Sequence, residues 1–356
     1  MSNKMTTIKN IVLIFSAFLL VGCDRISLYF DGKETTLNSD VTTLYLPTGI
    51  NLDGLADSLV KLNLIEDRDA LMNVAVYKKL NDTGRIAAGK YLISPKTNIK
   101  TLLNGFTTNS LGNGNAEKEV EVTFNNCRDV YQLAGKIATQ LEVDSTALVI
   151  YILSPEVLTK YGFSKARIGA LFLPDTYRMY WDTDAADFVE KMAKHFKRFW
   201  NTERMNKLKN VGLTSQSDAV TLASIVYKEQ DKHKEEWPII SGLYLNRLRK
   251  GWLLQSDPTF RFCWGDALIG VKRLTYEHRS IDCEYNTYIY AGLPPGPICI
   301  PPAKVVDAVL NPANTDYFFM CAKPDGDGLH NFAKTAAQHA KNAKAYQAWL
   351  TKLNIR

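Results

Sequence analysis

The run Val41 to Leu46 is β-branched and apolar, which predicts a strand, and Pro47, Thr48 and Gly49 turn the chain after it. Beyond the turn the rhythm changes. Leu52, Leu55, Ala56 and Leu59 recur at helical spacing, a second helix is predicted around Ala70 to Leu80, and Gly89 to Ile93 reads as a returning strand before Pro95. A weaker echo follows, with a strand from Glu119 to Phe124 and a helix face made of Val130, Leu133, Ala134 and Ile137, so an internal repeat is expected. Asn109 to Asn115, rich in Gly, Asn and Ser, reads as the linker between the two.

Past residue 150 or so the pattern turns to longer helices. Phe188, Met192, Phe196 and Phe199 form one stripe from Ala185 to Trp200, with Asp184 or Thr183 as cap. Ser217 and Asp218 are the cap candidates for the next helix, whose stripe is Ala219, Leu222, Ala223 and Val226. A third helix is expected from Trp237 to Lys250, where Gly251 stops it, and a last one from Thr335 to Leu353. The fold class read from this order is α+β. A small α/β module occupies 38–108, a second small module or connector 116–160, and a mainly helical domain 161–356. Strand, helix, helix, strand is also the order of a carbohydrate-binding module of the LysM kind, for which plain scaffolding is the alternative role.

The amino terminus carries an address. Lys4 and Lys9 precede an apolar run from Ile11 to Gly22, followed at once by Cys23, Asp24 and Arg25. That run falls short of the roughly 20 residues that span a bilayer as a helix, so residues 1–30 read as a signal or membrane anchor. Leu20, Val21, Gly22 and Cys23 resemble a lipoprotein signal with Cys23 as the lipidated residue; the alternative is an uncleaved span through Phe30. Both place the remainder outside the cytoplasm, at the inner or plasma membrane.

Composition narrows the partners. A net charge of +6 without a long basic block argues against nucleic acid and suits an anionic polymer or membrane surface. With Cys23 set aside, Cys127, Cys263, Cys283, Cys299 and Cys321 leave at least one thiol unpaired, and Cys263 with Cys283 is one possible pair. No Cys-x-x-Cys spacing and no helical His pair with a carboxylate points to zinc, and no cofactor is called for. His330 and His339 are therefore read as structural hydrogen-bonding groups.

Glu229 stands three residues after Val226 and seven after Leu222, on the buried stripe. A carboxyl at the end of an apolar face, where it borders a cleft, loses hydration and keeps its proton toward neutral pH, as a general acid must. The plain alternative is a helix-terminal Glu paired with Lys228 or Lys232. The surrounding text favours chemistry. Leu222 to Glu229 resembles the catalytic helix of the endolytic murein transglycosylases, the YceG-like family, and further segments follow in the family's order: Ser241 to Leu248, Leu254 to Thr259, Tyr285 to Tyr288, Gly292 to Ile298, Asn311 to Ala313, and Leu329 to Thr335 with His339. Phe172 to Tyr177 upstream is also similar. Two positions depart: Tyr227 stands where many members have Glu, and Gly169 with Ala170 where members often have Glu and Gly.

The resemblance implies LysM-like modules ahead of a lysozyme-like domain that cleaves MurNAc-GlcNAc β-1,4 bonds of nascent peptidoglycan strands, leaving 1,6-anhydroMurNAc ends and terminating elongation. It also implies partnership with peptidoglycan synthases. One carboxyl suffices for such a reaction, where hydrolysing glycosidases use two. Glu229 is the expected acid and base, and Asn246, Gln255, Asp257, Tyr285, Asn286 and Tyr288 are the expected sugar contacts, by hydrogen bonding or by stacking. Asp257 before Pro258 also suits a turn, and Asn246 with Arg247 a helix-to-loop tie. A non-catalytic wall-binding scaffold and a lysozyme-type hydrolase are the competing functions.

Overall fold

The computed structural model describes residues 35–78, 80, 86–107, 117–271 and 274–353, so the amino-terminal anchor with Cys23 and the linker at Asn109 to Asn115 lie outside the described residues. The chain forms two compact units, one of residues Met1–Glu121, Gln140–Glu142 and Arg178–Thr183 and the other of Val122–Thr139, Val143–Tyr177 and Asp184–Arg356. The class is α+β.

In the first unit β1 (Thr42–Leu46) pairs antiparallel with β2 (Gly89–Ile93), Thr42 opposite Ile93 and Leu46 opposite Gly89. Between them run α1 (Leu52–Lys61) and α2 (Asp69–Tyr77), giving the order expected from the pattern. Asn51 caps α1 by accepting from the Gly54 amide at 2.8 Å, and Leu55, Ala56 and Leu59 are buried as their spacing required. A helix not foreseen, α3 (Ile99–Gly105), is capped by Asn98 and adds Ile99, Leu102 and Leu103 to the core. Tyr91 and Phe106 meet edge to face there at 4.8 Å.

β3 (Val120–Phe124) pairs with β4 (Asp175–Met179), and α4 (Val130–Ala138), α5 (Ser145–Ile152) and α6 (Pro155–Tyr161) intervene. The expected strand and helix of the echo are present. The closing strand β4 escaped the pattern because its exposed positions carry Asp175, Thr176 and Arg178, and only Tyr177 and Met179 turn inward.

The second unit continues with α7 (Ala185–Phe199), capped by Asp184, and α8 (Thr202–Asn210). Its central element is α9 (Gln216–Glu229), buried without a break from Ser217 to Val226. Ser217 and Asp218 do not cap it. Ser215 does, its hydroxyl accepting from the Asp218 amide at 3.1 Å, and Asp218 instead accepts from Thr214 at 2.5 Å and pairs with Arg167 at 3.1 Å. Packed around α9 are α10 (Trp237–Arg249), α11 (Asp257–Trp264) and a later helix, α13 (Ala303–Leu310), which follows the short α12 (Tyr276–Arg279). The chain ends in an antiparallel ribbon of β5 (Phe319–Ala322) and β6 (His330–Ala333), followed by α14 (Ala336–Lys352). A disulfide joins Cys263 to Cys283, while Cys127, Cys299 and Cys321 are free. Among the described residues no helix is long and apolar enough to cross a membrane.

Candidate active site

Glu229 is the last residue of α9. The chain leaves the helix at Gln230, with φ −143°, and Gln230 is held there by its carbonyl accepting from the Trp237 indole at 2.6 Å. The spacing that buries Leu222 and Val226 carries the Glu229 carboxyl into a cavity of about 440 Å³. Glu229 shares that cavity with Arg247, Gln255, Asp257, Tyr288 and His330.

Two hydroxyls grip one oxygen of the carboxyl. Tyr244 and Ser256 each donate to Glu229 Oε1 at 2.5 Å, and among the described residues Oε2 receives no hydrogen bond. Oε2 is thus the atom left for a ligand. Lys228 and Lys232 do not pair with Glu229, which removes the plain ion-pair reading of that residue. Burial raises the carboxyl above its ordinary pKa, and it outweighs the opposing effect of the two hydroxyl bonds. Burial likewise drives the Tyr244 phenol well up, with the Glu229 charge adding to it, so Tyr244 is a hydrogen-bond donor throughout the physiological range.

The Ser256 hydroxyl is itself fixed from behind. Ser256 and Thr259 are fully buried, the Ser256 amide donates to Thr287 Oγ1 at 3.0 Å, and Thr259 Oγ1 bonds both the Ser256 carbonyl at 2.6 Å and Thr287 Oγ1 at 2.9 Å. The preceding Gln255 has φ +48°, a left-handed backbone unusual for a residue with a side chain, stabilised by its amide bond to the Thr287 carbonyl at 3.0 Å. That bend aims consecutive residues at the cavity.

Of the expected sugar contacts, Gln255, Asp257 and Tyr288 line the cavity with Glu229. The Tyr288 hydroxyl donates to Asp257 Oδ1 at 2.5 Å, and Arg279 lies 3.8 Å from the same oxygen. Asn246, Tyr285 and Asn286 stand outside it. Asn246 donates to the carbonyls of Thr315 and Tyr317 at 2.7 and 3.1 Å, which ties α10 to the strand approach. Asn286 is fully buried, donating to the Arg279 and Ile281 carbonyls at 2.8 Å and accepting from the Tyr288 amide at 3.0 Å, so it shapes the loop that presents Tyr288. Tyr285 lies against Phe262 with ring centres 4.7 Å apart. Arg247 supplies a buried cation whose N–H groups bond the Phe318 and Leu254 carbonyls at 2.7 and 2.6 Å.

A further carboxylate, outside the cavity lining, holds His330. Glu236, 5% exposed, accepts from the His330 amide at 2.8 Å, from Gln230 Nε2 at 2.9 Å, and meets His330 Nδ1 at 2.7 Å. A His whose Nδ1 proton is held by a buried carboxylate presents Nε2 forward in one fixed orientation. His339 is different: its ring lies flat on Phe319 at 5.2 Å, and burial and the Arg247 charge lower its pKa, which favours the neutral ring.

The YceG-like family model matches residues 44–345. The chain belongs to the YceG-like family. It is 26% identical over 354 residues to a protein of Bacillus subtilis (strain 168) named endolytic murein transglycosylase, covering 94% of this chain and 91% of the relative. A protein of the same name from Streptococcus pneumoniae serotype 2 is 24% identical over 84% of this chain, which spans 57% of the pneumococcal protein's length. Among solved structures, a putative YceG-like protein of Listeria monocytogenes shares the fold, with TM-score 0.53 and 22% identity over 85% of this chain and 99% of that one.

Three parts of this YceG-like site were not read from sequence: Tyr244, Ser256 and the Glu236–His330 pair. Tyr244 and Ser256 lie 15 and 27 residues from Glu229, and Glu236 and His330 lie 94 apart. The motifs Ser241 to Leu248, Leu254 to Thr259 and Leu329 to Thr335, which contain Tyr244, Ser256 and His330, gave a signal, and Glu236 gave none. No residue type there named its partner.

Proposed function

We propose that this chain is an endolytic lytic transglycosylase that cleaves the MurNAc-GlcNAc β-1,4 bonds of nascent peptidoglycan strands. The observation that carries the reading is the Glu229 carboxyl, its pKa raised by desolvation, gripped at one oxygen by Tyr244 and Ser256 and open at the other. Protonated, it donates to the glycosidic oxygen as the bond to C1 breaks; as carboxylate, it takes the proton of the C6 hydroxyl while that oxygen closes on C1 to give the 1,6-anhydro ring. The proton returns to Glu229 and no water enters.

Gln255, Asp257 and Tyr288 are the sugar contacts beside it, with the Asp257 carboxylate near the positive charge that develops at C1. Names of two relatives support the same chemistry. The mainly helical second unit fits a lysozyme-like domain, and the β1 to β2 unit a LysM-like glycan-binding module. The Cys263–Cys283 disulfide suits an oxidising compartment outside the cytoplasm, with residues 1–30 as the membrane anchor, by lipid on Cys23 or as a span. Cutting at that surface would terminate strands made by peptidoglycan synthases, the natural partners.

Mass spectrometry of the products from purified peptidoglycan tests the reading. Wild type should release anhydro-muramyl ends and Glu229→Gln should not. Reducing-end MurNAc would instead make Asp257, in the same cavity, the second carboxylate of a lysozyme-type hydrolase.

A further inference from the structure

A second cavity, of about 350 Å³, lies beside the first. On two separate elements consecutive residues divide between them: Glu229 and Asp257 line the first, and their neighbours Lys228 and Pro258 line the second. Consecutive Cα atoms are about 3.8 Å apart, so the two cavities are neighbours separated only by the end of α9 and the start of α11. The other walls of the second cavity are Asn126, Arg128, Gln132, Arg261, Phe262 and Ile298.

Its charge is one-sided. Arg128 is committed to Asp129 at 3.1 Å and Asp266 at 2.9 Å, which leaves Lys228 and Arg261 as cations that no carboxylate pairs with among the described residues. Arg261 spends one N–H on the Val271 carbonyl at 3.1 Å and keeps the rest of its five donors. Lys228 Nζ stands 5.8 Å from the centroid of the Tyr227 ring, and its charge also reaches the buried Cys299 thiol. The Asn126 side chain makes no hydrogen bond among the described residues, and the Gln132 side-chain oxygen accepts from the Arg128 amide, while its NH₂ has no hydrogen-bond partner among the described residues. Phe262 gives an apolar wall, backed by Tyr285 at 4.7 Å and held by the adjacent Cys263–Cys283 bridge. Cations, amide donors and one apolar face are what an extended peptide bearing carboxylates requires.

We propose that this cavity is a subsite for the peptide carried by a muramyl residue of the strand, with Arg261 and Lys228 holding its carboxylates. The assignment rests on the glycan-cleaving reading of the neighbouring cavity. It makes the enzyme read the peptide as well as the sugar backbone, and it gives a place to Tyr285, the ring of its motif that stands outside the Glu229 cavity and backs Phe262.

The test uses the full chain on two substrates: uncrosslinked strands bearing their peptides, and the same strands stripped of peptide by an amidase. Wild type should favour the first in kcat/KM by about tenfold or more, the scale of a charge-assisted hydrogen bond. Arg261→Glu should collapse that ratio toward one, and Arg261→Lys should keep most of it. Equal kcat/KM of wild type on both substrates, or an equal loss on both in Arg261→Glu, would overturn the subsite. Calorimetric titration with a soluble muramyl pentapeptide needs no turnover. If wild type cuts neither substrate, the transglycosylase reading fails alone, and the titration still decides: binding that Arg261→Glu abolishes supports the subsite, and no binding, or tighter binding of inorganic phosphate, refutes it.

Discussion

Leu44 to Phe106 and Ser217 to Thr287 fill their interiors differently. The first stretch buries Leu, Ile, Val, Phe and Ala side chains around Tyr91, while the second adds polar groups to its apolar core: of the buried polar and charged side chains among the described residues, all but Thr36 fall within it. A buried polar group costs stability unless it is bonded. Asn246, Arg247, Ser256, Thr259 and Asn286 are all bonded, and nearly all their bonds fix backbone or hydroxyls around one carboxyl. The apolar interior holds a shape; the polar one holds a reactive atom in place, and only the polar one is expected to answer a small chemical change with a large loss of activity.

Glu229→Gln is the sharpest probe of that contrast. It keeps the shape and removes the proton, so cleavage should fall by about 10³-fold, in the range of a lost general acid. Stability should move the other way. A folded-state pKa raised above the unfolded value means the ionised carboxyl costs stability as pH climbs past the unfolded value and costs nothing well below it. The variant should therefore melt higher than wild type at alkaline pH and equally at acid pH, and wild-type kcat/KM should decline on the alkaline side as the acid loses its proton.

In the apolar interior the response should be purely one of stability. Leu59→Ala, at a fully buried position of α1, should cost about 3 kcal/mol in urea unfolding. Glu236→Gln comes next. Loosening the grip on His330 should lower kcat/KM by up to roughly 100-fold, as small misplacements near a reacting centre do, with little change in melting temperature. A comparable melting loss would mean the pair is structural.

The smallest effect tests Glu117, an acid of the first unit with a buried carboxyl oxygen. Burial and the Asp182 charge push Glu117 up from 4.5 to about 8, so wild type should lose stability as pH rises between those values. Glu117→Gln should flatten that slope in pH-dependent thermal melts, and an unchanged slope would show that Glu117 ionises freely.

Periodicity told most about the apolar interior. The Leu52 to Leu59 spacing and the strand at Val41 to Leu46 appear in the structure within a residue of where they were expected, because local pattern and burial there agree. The same logic put Glu229 at the end of a buried stripe. It failed where several residues satisfy one rule: Ser215, Ser217 and Asp218 are all good cap types, and the choice is made by the turn before the helix. It could not reach pairs joined only by folding, such as Glu236 with His330 or Ser256 with Glu229. Asn246 and Asn286 show the remaining ambiguity, since an amide suited to a sugar hydroxyl is equally suited to a backbone carbonyl.

That Glu229 closes its helix has one more effect. The last carbonyls of an α-helix carry an unbalanced negative half-charge, worth about 0.3–1 kcal/mol to a neighbouring charge, and at this position it opposes a second negative charge on the carboxyl. The backbone's own field thus adds to burial in favouring the protonated carboxyl, and in the proposed reaction it would help Glu229 regain its hydrogen ion for the next cycle.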